Sequence, residues 1–169
     1  MREILFRGKR VDNGEWVDGF LLHKYFCEIP HDRIVIQYRP EIGSYKWIPD
    51  YMVAEVDPAT IGQYTGLTDK NGKKIFEGDI VRMNGNPLDL AVIRFGEFAC
   101  VDIELEEKTD RVHGWYFKPI ETDGLSRLEP FCWEFQLNEM WIKENEVEVI
   151  GNIHDNPELL KGDNDAEIR

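Results

Sequence analysis

Residues 61–82 read I-G-Q-Y-T-G-L-T-D-K-N-G-K-K-I-F-E-G-D-I-V-R and carry the strongest local structural signal in the chain. Asn71-Gly72 lies between two strand-like segments, and both residues tolerate the positive φ of a type I′ turn. Ile75-Phe76 supplies apolar bulk after the turn, and Gly78-Asp79 separates it from Ile80-Val81. The stretch therefore predicts a β-hairpin with a two-residue turn, followed by another strand.

Short strand-like segments recur on both sides of this stretch. Residues 4–22 predict another hairpin, again around an Asn-Gly pair at Asn13-Gly14. Residues 33–39 are rich in β-branched side chains, and residues 101–105 alternate apolar and acidic side chains, as in a strand with one buried face. No segment shows a sustained apolar period of 3.6 residues. We therefore expect a mainly β protein with little helix, built as small barrels or a sandwich.

Two β-rich regions are expected, with a boundary at Asp57-Pro58-Ala59-Thr60, which is turn-forming in composition. Residues 1–57 form the smaller N-terminal region, and residues 58–160 form the main one. Within the main region, residues 107–128 are polar and glycine-containing, so we expect a long excursion there. Residues 161–169 are expected to form an acidic, frayed tail.

The composition is that of a soluble globular protein with a strongly acidic charge. Of 169 residues, 42% are hydrophobic and 31% are charged. No apolar run approaches the ~20 residues that a membrane span needs. The formal net charge is −13, and residues 101–169 hold eighteen acidic against seven basic side chains. Because such a field repels phosphate backbones, nucleic acid is a disfavoured partner. We expect a cytoplasmic protein without membrane contact.

The residue types that most often carry chemistry are scattered along the chain. Neither the cysteines nor the histidines have the spacing of a zinc site, and no phosphate-binding loop or nucleophile motif occurs. We therefore expect no catalytic residue, no metal and no cofactor. The three cysteines are Cys27, Cys100 and Cys132, and the four histidines are His23, His31, His113 and His154.

One candidate contact surface is basic. Lys70, Lys73 and Lys74 cluster around the predicted turn, with Tyr64 and Phe76 close in sequence. Basic residues interleaved with aromatic ones on a small barrel are typical of single-stranded nucleic-acid binding. A solvated hairpin tip above two core aromatics explains the same pattern, and the overall acidity favours that simpler interpretation.

A second candidate contact surface is acidic. Alternation along residues 101–105 places Asp102 and Glu104 on one outward face, where they would steer a basic host or phage protein. Trp115 is a further candidate, because it is a large aromatic residue within the predicted excursion. A solvated acidic face remains the alternative.

Three segments together resemble one known family. They are F-R-G-K-R-V-D-N-G-E-W-V at residues 6–17, I-G-Q-Y-T-G-L-T-D-K-N-G-K-K-I-F-E-G-D-I-V at residues 61–81 and V-I-G-N-I-H-D-N-P-E-L-L at residues 149–160. In this order they are similar to the YopX family, whose members are carried by bacteriophages and prophages. The resemblance implies an SH3-like barrel beginning near residues 78–81, which would occupy the main region. It also implies self-association, and it implies no known enzymatic activity.

The leading interpretation is a phage-encoded, non-enzymatic protein of unknown role that acts through protein contacts and as a homo-oligomer. One alternative is a nucleic-acid-binding accessory protein that uses the barrel and the Lys70–Lys74 hairpin. A third, an enzyme whose site assembles from scattered residues, is the least favoured.

Replacing Gly72 with valine should lower the free energy of unfolding by about 1–3 kcal/mol, because a β-branched residue resists positive φ. Chemical denaturation of the purified variant measures the change. An unaltered unfolding midpoint would show that the turn does not need glycine at this position.

Overall fold

The computed structural model describes residues 3–23, 34–38, 52–102, 107–123, 125–128 and 132–161. These residues form a mainly β protein with two antiparallel sheets, which confirms the predicted class. The strands are β1 Phe6–Lys9, β2 Trp16–His23, β3 Ile34–Tyr38, β4 Met52–Glu55, β5 Gly62–Thr68, β6 Lys74–Phe76, β7 Asp79–Arg82, β8 Leu90–Asp102, β9 Glu107–Pro119, β10 Phe135–Gln136 and β11 Glu148–Asn152. One α-helix, α1, spans Glu139–Glu144.

The chain divides into two compact units, Met1–Gly66 and Leu67–Arg169. The division falls after Gly66 rather than at the expected boundary near Asp57. The reason is that β5, which follows the 3-10 turn Pro58–Thr60, pairs with β1: Phe6 lies opposite Gln63, and Arg7 lies opposite Gly62. The segment after the turn therefore completes the first unit before the second begins.

The first unit is an antiparallel sheet in the order β4-β3-β2-β1-β5. After β5 the chain continues into β6. Its interior is a small cluster of buried side chains, namely Val17, Ile36, Ala54 and Val56. The predicted hairpin at Asn13-Gly14 joins β1 to β2, and Gly14 has a φ of 73°. The strand-like sequence at residues 45–48 lies outside the described residues.

The second unit is an antiparallel sheet in the order β10-β9-β8-β7-β11. Its main core holds the following buried residues: Ile75, Val81, Met83, Ala91, Ile93, Phe117, Leu137, Ile142, Val147 and Val149. Helix α1 contributes Ile142, and the side chain of Asn138 caps its start by accepting a hydrogen bond from the Trp141 amide at 2.8 Å. The pairings among the described strands give an open order, so the SH3-like barrel stays a prediction.

Helix α1 ends in a residue with left-handed backbone conformation. The Val147 amide donates to the Ile142 carbonyl at 3.0 Å, and the Glu146 amide donates to the Lys143 carbonyl at 3.4 Å. This is the hydrogen-bond pattern of a Schellman motif, which usually places glycine where Glu146 stands. Glu146 has a φ of 45°. The motif turns the chain sharply from α1 into β11.

The turn around Asn71-Gly72 differs from the two-residue type I′ turn predicted. Lys70, Asn71 and Gly72 form a three-residue loop, because the Asp69 amide donates to the Lys73 carbonyl at 2.8 Å. The Gly72 amide donates to the Asp69 carbonyl at 3.0 Å, and of the Asn-Gly pair Gly72 alone has positive φ, at 81°. Such a loop is a type I turn followed by a glycine bulge.

Asp69 explains why the longer loop forms. Its carboxylate is buried, and one oxygen, Oδ1, accepts hydrogen bonds from the amides of Asn71 at 2.8 Å and Lys73 at 2.9 Å. The other oxygen, Oδ2, accepts from the Val149 amide in β11 at 3.0 Å. The Lys70 amide also donates to the Val147 carbonyl at 3.0 Å. One side chain thus shapes the loop and joins it to the strand at the sheet edge.

The segment that follows β11 is held by a second side chain, that of Asn152. Its Oδ1 accepts from the amides of His154 and Asp155, both at 2.9 Å. The Ile153 amide donates to the Gly78 carbonyl at 2.9 Å. A Cβ at Gly151 would overlap the Asn156 side chain, so a larger residue there would displace that side chain. The G-N-x-x-D-N-P sequence therefore builds a turn that packs on the β6–β7 connection.

The excursion predicted at residues 107–128 is wrong for the first part of that range, which is a regular strand. Glu107–Pro119 is the 13-residue strand β9, which pairs with β8 from Ala91–Pro119 to Asp102–Glu107. The polar composition was misleading because much of this strand is exposed. Gly114 lies opposite Gly96 within the regular register, so glycine here does not interrupt the strand.

Replacing Asp69 with alanine should lower the free energy of unfolding by about 3 kcal/mol, because three backbone amides lose a charged acceptor. Urea denaturation of both proteins measures the difference. Asp110→Ala, which removes an exposed carboxylate from β9, is the control and should change stability by less than about 0.5 kcal/mol. Equal effects of the two substitutions would contradict the structural role of Asp69.

Candidate functional site

The β8–β9 hairpin extends beyond the sheet that carries it. Strand β7 pairs with β8 only at Leu90–Val92, and β10 pairs with β9 only at Tyr116–Phe117. Among the described strands, the remainder of the hairpin, residues 96–102 and 107–114, pairs only with itself. We call these residues the β8–β9 arm. A two-stranded ribbon with two open edges is marginally stable alone and presents unpaired backbone groups.

Three aromatic rings meet at the base of the arm. Phe95, which is 51% exposed, contacts the His113 ring edge-on, with 5.0 Å between centroids. Its centroid lies 4.8 Å from that of Trp115, its partner across the strands. Trp115 is half-buried and packs against the main core of the second unit. We call Phe95, His113 and Trp115 the aromatic platform; its inner ring is fixed by the core and its outer ring faces solvent.

The opposite face of the same hairpin is closed. Phe98 is almost fully buried and stacks on Tyr116, with 5.1 Å between centroids and 23° between the ring planes. Burial raises the pKa of the Tyr116 hydroxyl, and the nearby Glu134 carboxylate adds to the increase. Because one face is packed, the platform is held in a defined position on the other.

The lysine cluster is partly neutralised by its surroundings. Lys70 Nζ lies 3.8 Å from Glu146 Oε2 and 3.9 Å from Glu148 Oε2. Arg82, which lies opposite Glu148 across β7 and β11, contacts Glu148 Oε2 at 2.9 Å. The hydrogen bond from Arg82, with the charge of Lys70, lowers the pKa of Glu148.

Only some of the residues predicted from sequence to form the basic contact surface are exposed in the structure. Lys70 and Lys73 are exposed on the loop and Lys74 is half-buried in β6. Tyr64 lies in β5 of the first unit and is buried, so it does not offer an exposed contact.

The acidic candidates lie farther along the chain. Asp102 ends β8 opposite Glu107, whereas Glu104 lies outside the described residues. The acidic face of residues 101–105 therefore stays a prediction. Trp115 is the candidate for which the structure provides a defined surface.

A cavity of about 260 Å³ lies in the second unit beside the start of β8. Its lining residues include the apolar Leu88, Leu90, Ile120 and Leu125 and the acidic Asp89 and Asp123. Burial raises the pKa of Asp89. Another cavity, of about 380 Å³, is lined by residues that include the charged Arg111, Lys118, Glu121 and Glu134.

The described residues contain neither a metal-binding group nor a membrane-spanning helix. No group of three or more His, Cys, Asp or Glu side chains in that part of the chain could hold a metal ion. None of its helices has the length and apolar character to cross a membrane. Cys100 and Cys132 are half-buried and free of disulfides.

Sequence reasoning missed Phe95, His113 and Asp89. Phe95 lies between Arg94 and Gly96 at the end of a predicted strand, where the sequence does not show whether its side chain is buried or exposed. The one usable signal was the strand pattern on both sides of residues 103–106, which would have placed Phe95 and Trp115 opposite each other in a hairpin.

Comparison with known proteins identifies a family and a similar solved structure. The family model described as YopX protein matches residues 5–161, which is nearly the whole chain. No curated protein matches the sequence. The crystal structure of protein EF1440 from Enterococcus faecalis is similar at 21% identity and a TM-score of 0.44, over 95% of this chain and 100% of that one.

The ion pair of Glu148 predicts a change in acid stability. Since the folded pKa lies below the ordinary value of 4.5, the contribution of Glu148 is present above that pH and is lost as the pH falls through the folded pKa. The stability difference between wild type and Glu148→Gln should therefore shrink below pH 4.5. Urea denaturation from pH 3 to pH 7 tests this, with Glu144→Gln on helix α1 as control. A difference that does not vary with pH would contradict the assignment.

Proposed function

This chain belongs to the YopX protein family, and on that premise we propose that it is a phage-encoded, non-enzymatic protein that acts through protein contacts and self-association. The observation that supports the proposal is the β8–β9 arm with the aromatic platform at its base. Both lie in the segment matched by the family model.

The platform has the features of a protein-contact site. Aromatic residues are enriched at the centres of protein interfaces, where they add large contact area at low entropic cost. A single exposed phenylalanine is ordinary on a protein surface. Phe95, however, stands on a half-buried tryptophan and against His113, so the rings are already ordered before a partner binds. Such preorganisation lowers the cost of association.

The arm adds a second means of association. No described strand pairs with the outer edges of the arm at residues 96–102 and 107–114, and an added strand could pair with such an edge. Another copy of the chain carries the same edges, so pairing around a two-fold axis is geometrically available. The ion pair between Arg111 and Glu97, 3.2 Å apart, is exposed and contributes little in the monomer, so both side chains are available to rearrange.

The nucleic-acid alternative has weaker support. It relied on Lys70, Lys73 and Lys74, and Lys70 lies within 4 Å of two carboxylates. The net charge of −13 further opposes binding to phosphate backbones. We therefore treat nucleic-acid binding as an outcome to be tested and not as a second proposal.

Replacing Phe95 with serine should weaken self-association about tenfold or more, because it removes the exposed ring at the centre of the proposed contact. Sedimentation velocity over a wide range of protein concentrations measures the dissociation constant. Phe20→Ser is a matched control, because Phe20 is 53% exposed on β2 of the first unit. Circular dichroism establishes that both variants are folded.

Two results would contradict the proposal. One is a wild-type protein that remains monomeric at every concentration and recovers no partner protein from lysogenic cells. The other is equal association of wild type, Phe95→Ser and Phe20→Ser. Steeply salt-dependent binding to single-stranded DNA, lost on Lys73→Gln with Lys74→Gln, would replace it with the nucleic-acid function.

A further inference from the structure

The 260 Å³ cavity beside β8 is built from a fixed framework. The Met83 amide donates to the Asp89 carbonyl at 3.0 Å, and the Ile120 amide donates to the Leu90 carbonyl at 2.8 Å. Two further lining residues, Asp123 and Ser126, are joined by two hydrogen bonds: the Ser126 amide donates to Asp123 Oδ1 at 2.8 Å, and the Asp123 amide donates to Ser126 Oγ at 3.1 Å. The hydroxyl of Thr122 donates to the Leu88 carbonyl. Hydrogen bonds within the protein therefore hold these lining residues in place without a ligand.

Asp89 is the unusual group in this cavity. Its carboxyl is half-buried, and within the described residues it has no hydrogen bond and no ion pair. Burial alone raises its pKa, which means that the folded protein withdraws this carboxyl from water without supplying a cation. A cationic group placed in the cavity would stabilise the ionised carboxylate and so offset the free-energy cost of its desolvation.

The remaining walls specify what carries the cation. Leu90 and Ile120 are buried at the base, whereas Leu88 and Leu125 are 43% and 60% exposed at the rim. This arrangement fits a methylene chain with apolar groups on each side. The volume lies below the ~300–1,000 Å³ typical of drug-sized ligands and suits a single long side chain.

We propose that the cavity is the binding site for a lysine side chain of a partner protein, flanked in that partner by apolar residues. The ammonium contacts the Asp89 carboxylate, the methylene stem packs on Leu90 and Ile120, and the flanking residues contact Leu88 and Leu125. The inference rests on the proposed function in protein contacts, and it names the chemistry of the partner. A second acidic residue, Asp123, also lines the cavity, which favours a cationic partner group.

The competing explanation is an open, water-filled depression in which Asp89 merely protonates more readily. The two explanations differ in what the cavity discriminates. A depression has no preference for charge on a long side chain, whereas the proposed site requires it and also requires the carboxylate.

The test uses the full chain and two synthetic peptides, Ac-Leu-Lys-Leu-NH2 and the same peptide with an acetylated lysine Nζ. Two-dimensional NMR titration of the isotope-labelled protein at pH 7.5 follows the amides of Leu88, Asp89, Ile120 and Leu125. We expect the unmodified peptide to bind at least about tenfold more tightly than the acetylated one, since acetylation removes the charge and keeps the stem. Replacement of the lysine by arginine measures tolerance for a larger cation.

Asp89→Asn should reduce affinity for the lysine peptide at least about tenfold, and Asp110→Asn, which removes a charge from the arm, should leave it unchanged. Asp89→Asn is expected to fold, because the wild-type carboxyl has no hydrogen bond to lose. Equal affinity for the two peptides, or equal affinity of wild type and Asp89→Asn, would overturn the proposal. Sedimentation of Phe95→Ser tests the aromatic platform independently, so failure at the cavity is distinguishable from failure of the proposed function.

Discussion

The interaction on which the second unit depends is the contact between the buried carboxylate of Asp69 and three backbone amides. Two of those amides belong to the adjacent loop and the third belongs to β11. The carboxylate supplies an acceptor for three backbone amides at once, which no apolar residue of similar size can do. It also fixes the edge strand relative to the hairpin, so the core beneath, including Ile75 and Val149, is formed by elements with one defined arrangement.

The same interaction gives a physical meaning to the family resemblance. The segment at residues 61–81 supplies Asp69 and Gly78, and the segment at residues 149–160 supplies the Val149 amide and the turn centred on Asn152. Hydrogen bonds join these segments at Asp69–Val149 and Gly78–Ile153. Two of the three segments that resemble the family therefore hold two distant parts of the second unit together. They describe how the protein folds, and the surfaces proposed for binding lie elsewhere.

Much of the architecture was predictable because hairpin chemistry is local. Asn13-Gly14 and Asn71-Gly72 both lie in hairpin loops, and the short alternating segments identified the β class. The three-residue loop was missed because the Asn-Gly pair was read without Asp69, whose Oδ1 accepts hydrogen bonds from the amides of Asn71 and Lys73. Helix α1 was missed because six residues are too few to show a 3.6-residue period.

The candidate sites were less accessible to sequence reasoning. Phe95 and Asp89 become noticeable only through exposure and burial, which composition does not encode. Tyr64 was misjudged for the same reason, since an aromatic residue near lysines in sequence can point into the core. The contact surface formed by the lysines stays a prediction, and the carboxylates that face Lys70 come from β11 and the residues before it, more than seventy positions away.

The separation of Asp69 and Val149 along the chain has a consequence for how the protein is made. Their hydrogen bond spans 80 residues, so closing it carries the entropic cost of a long loop and follows the formation of local hairpins. During synthesis, the loop at residues 69–73 leaves the ribosome well before β11 exists. Until β11 arrives, β7 has one open edge, and the long β8–β9 hairpin is already able to form beside it. We expect the nascent chain to be most prone to intermolecular strand pairing in this interval, and to become resistant to it once β11 has docked.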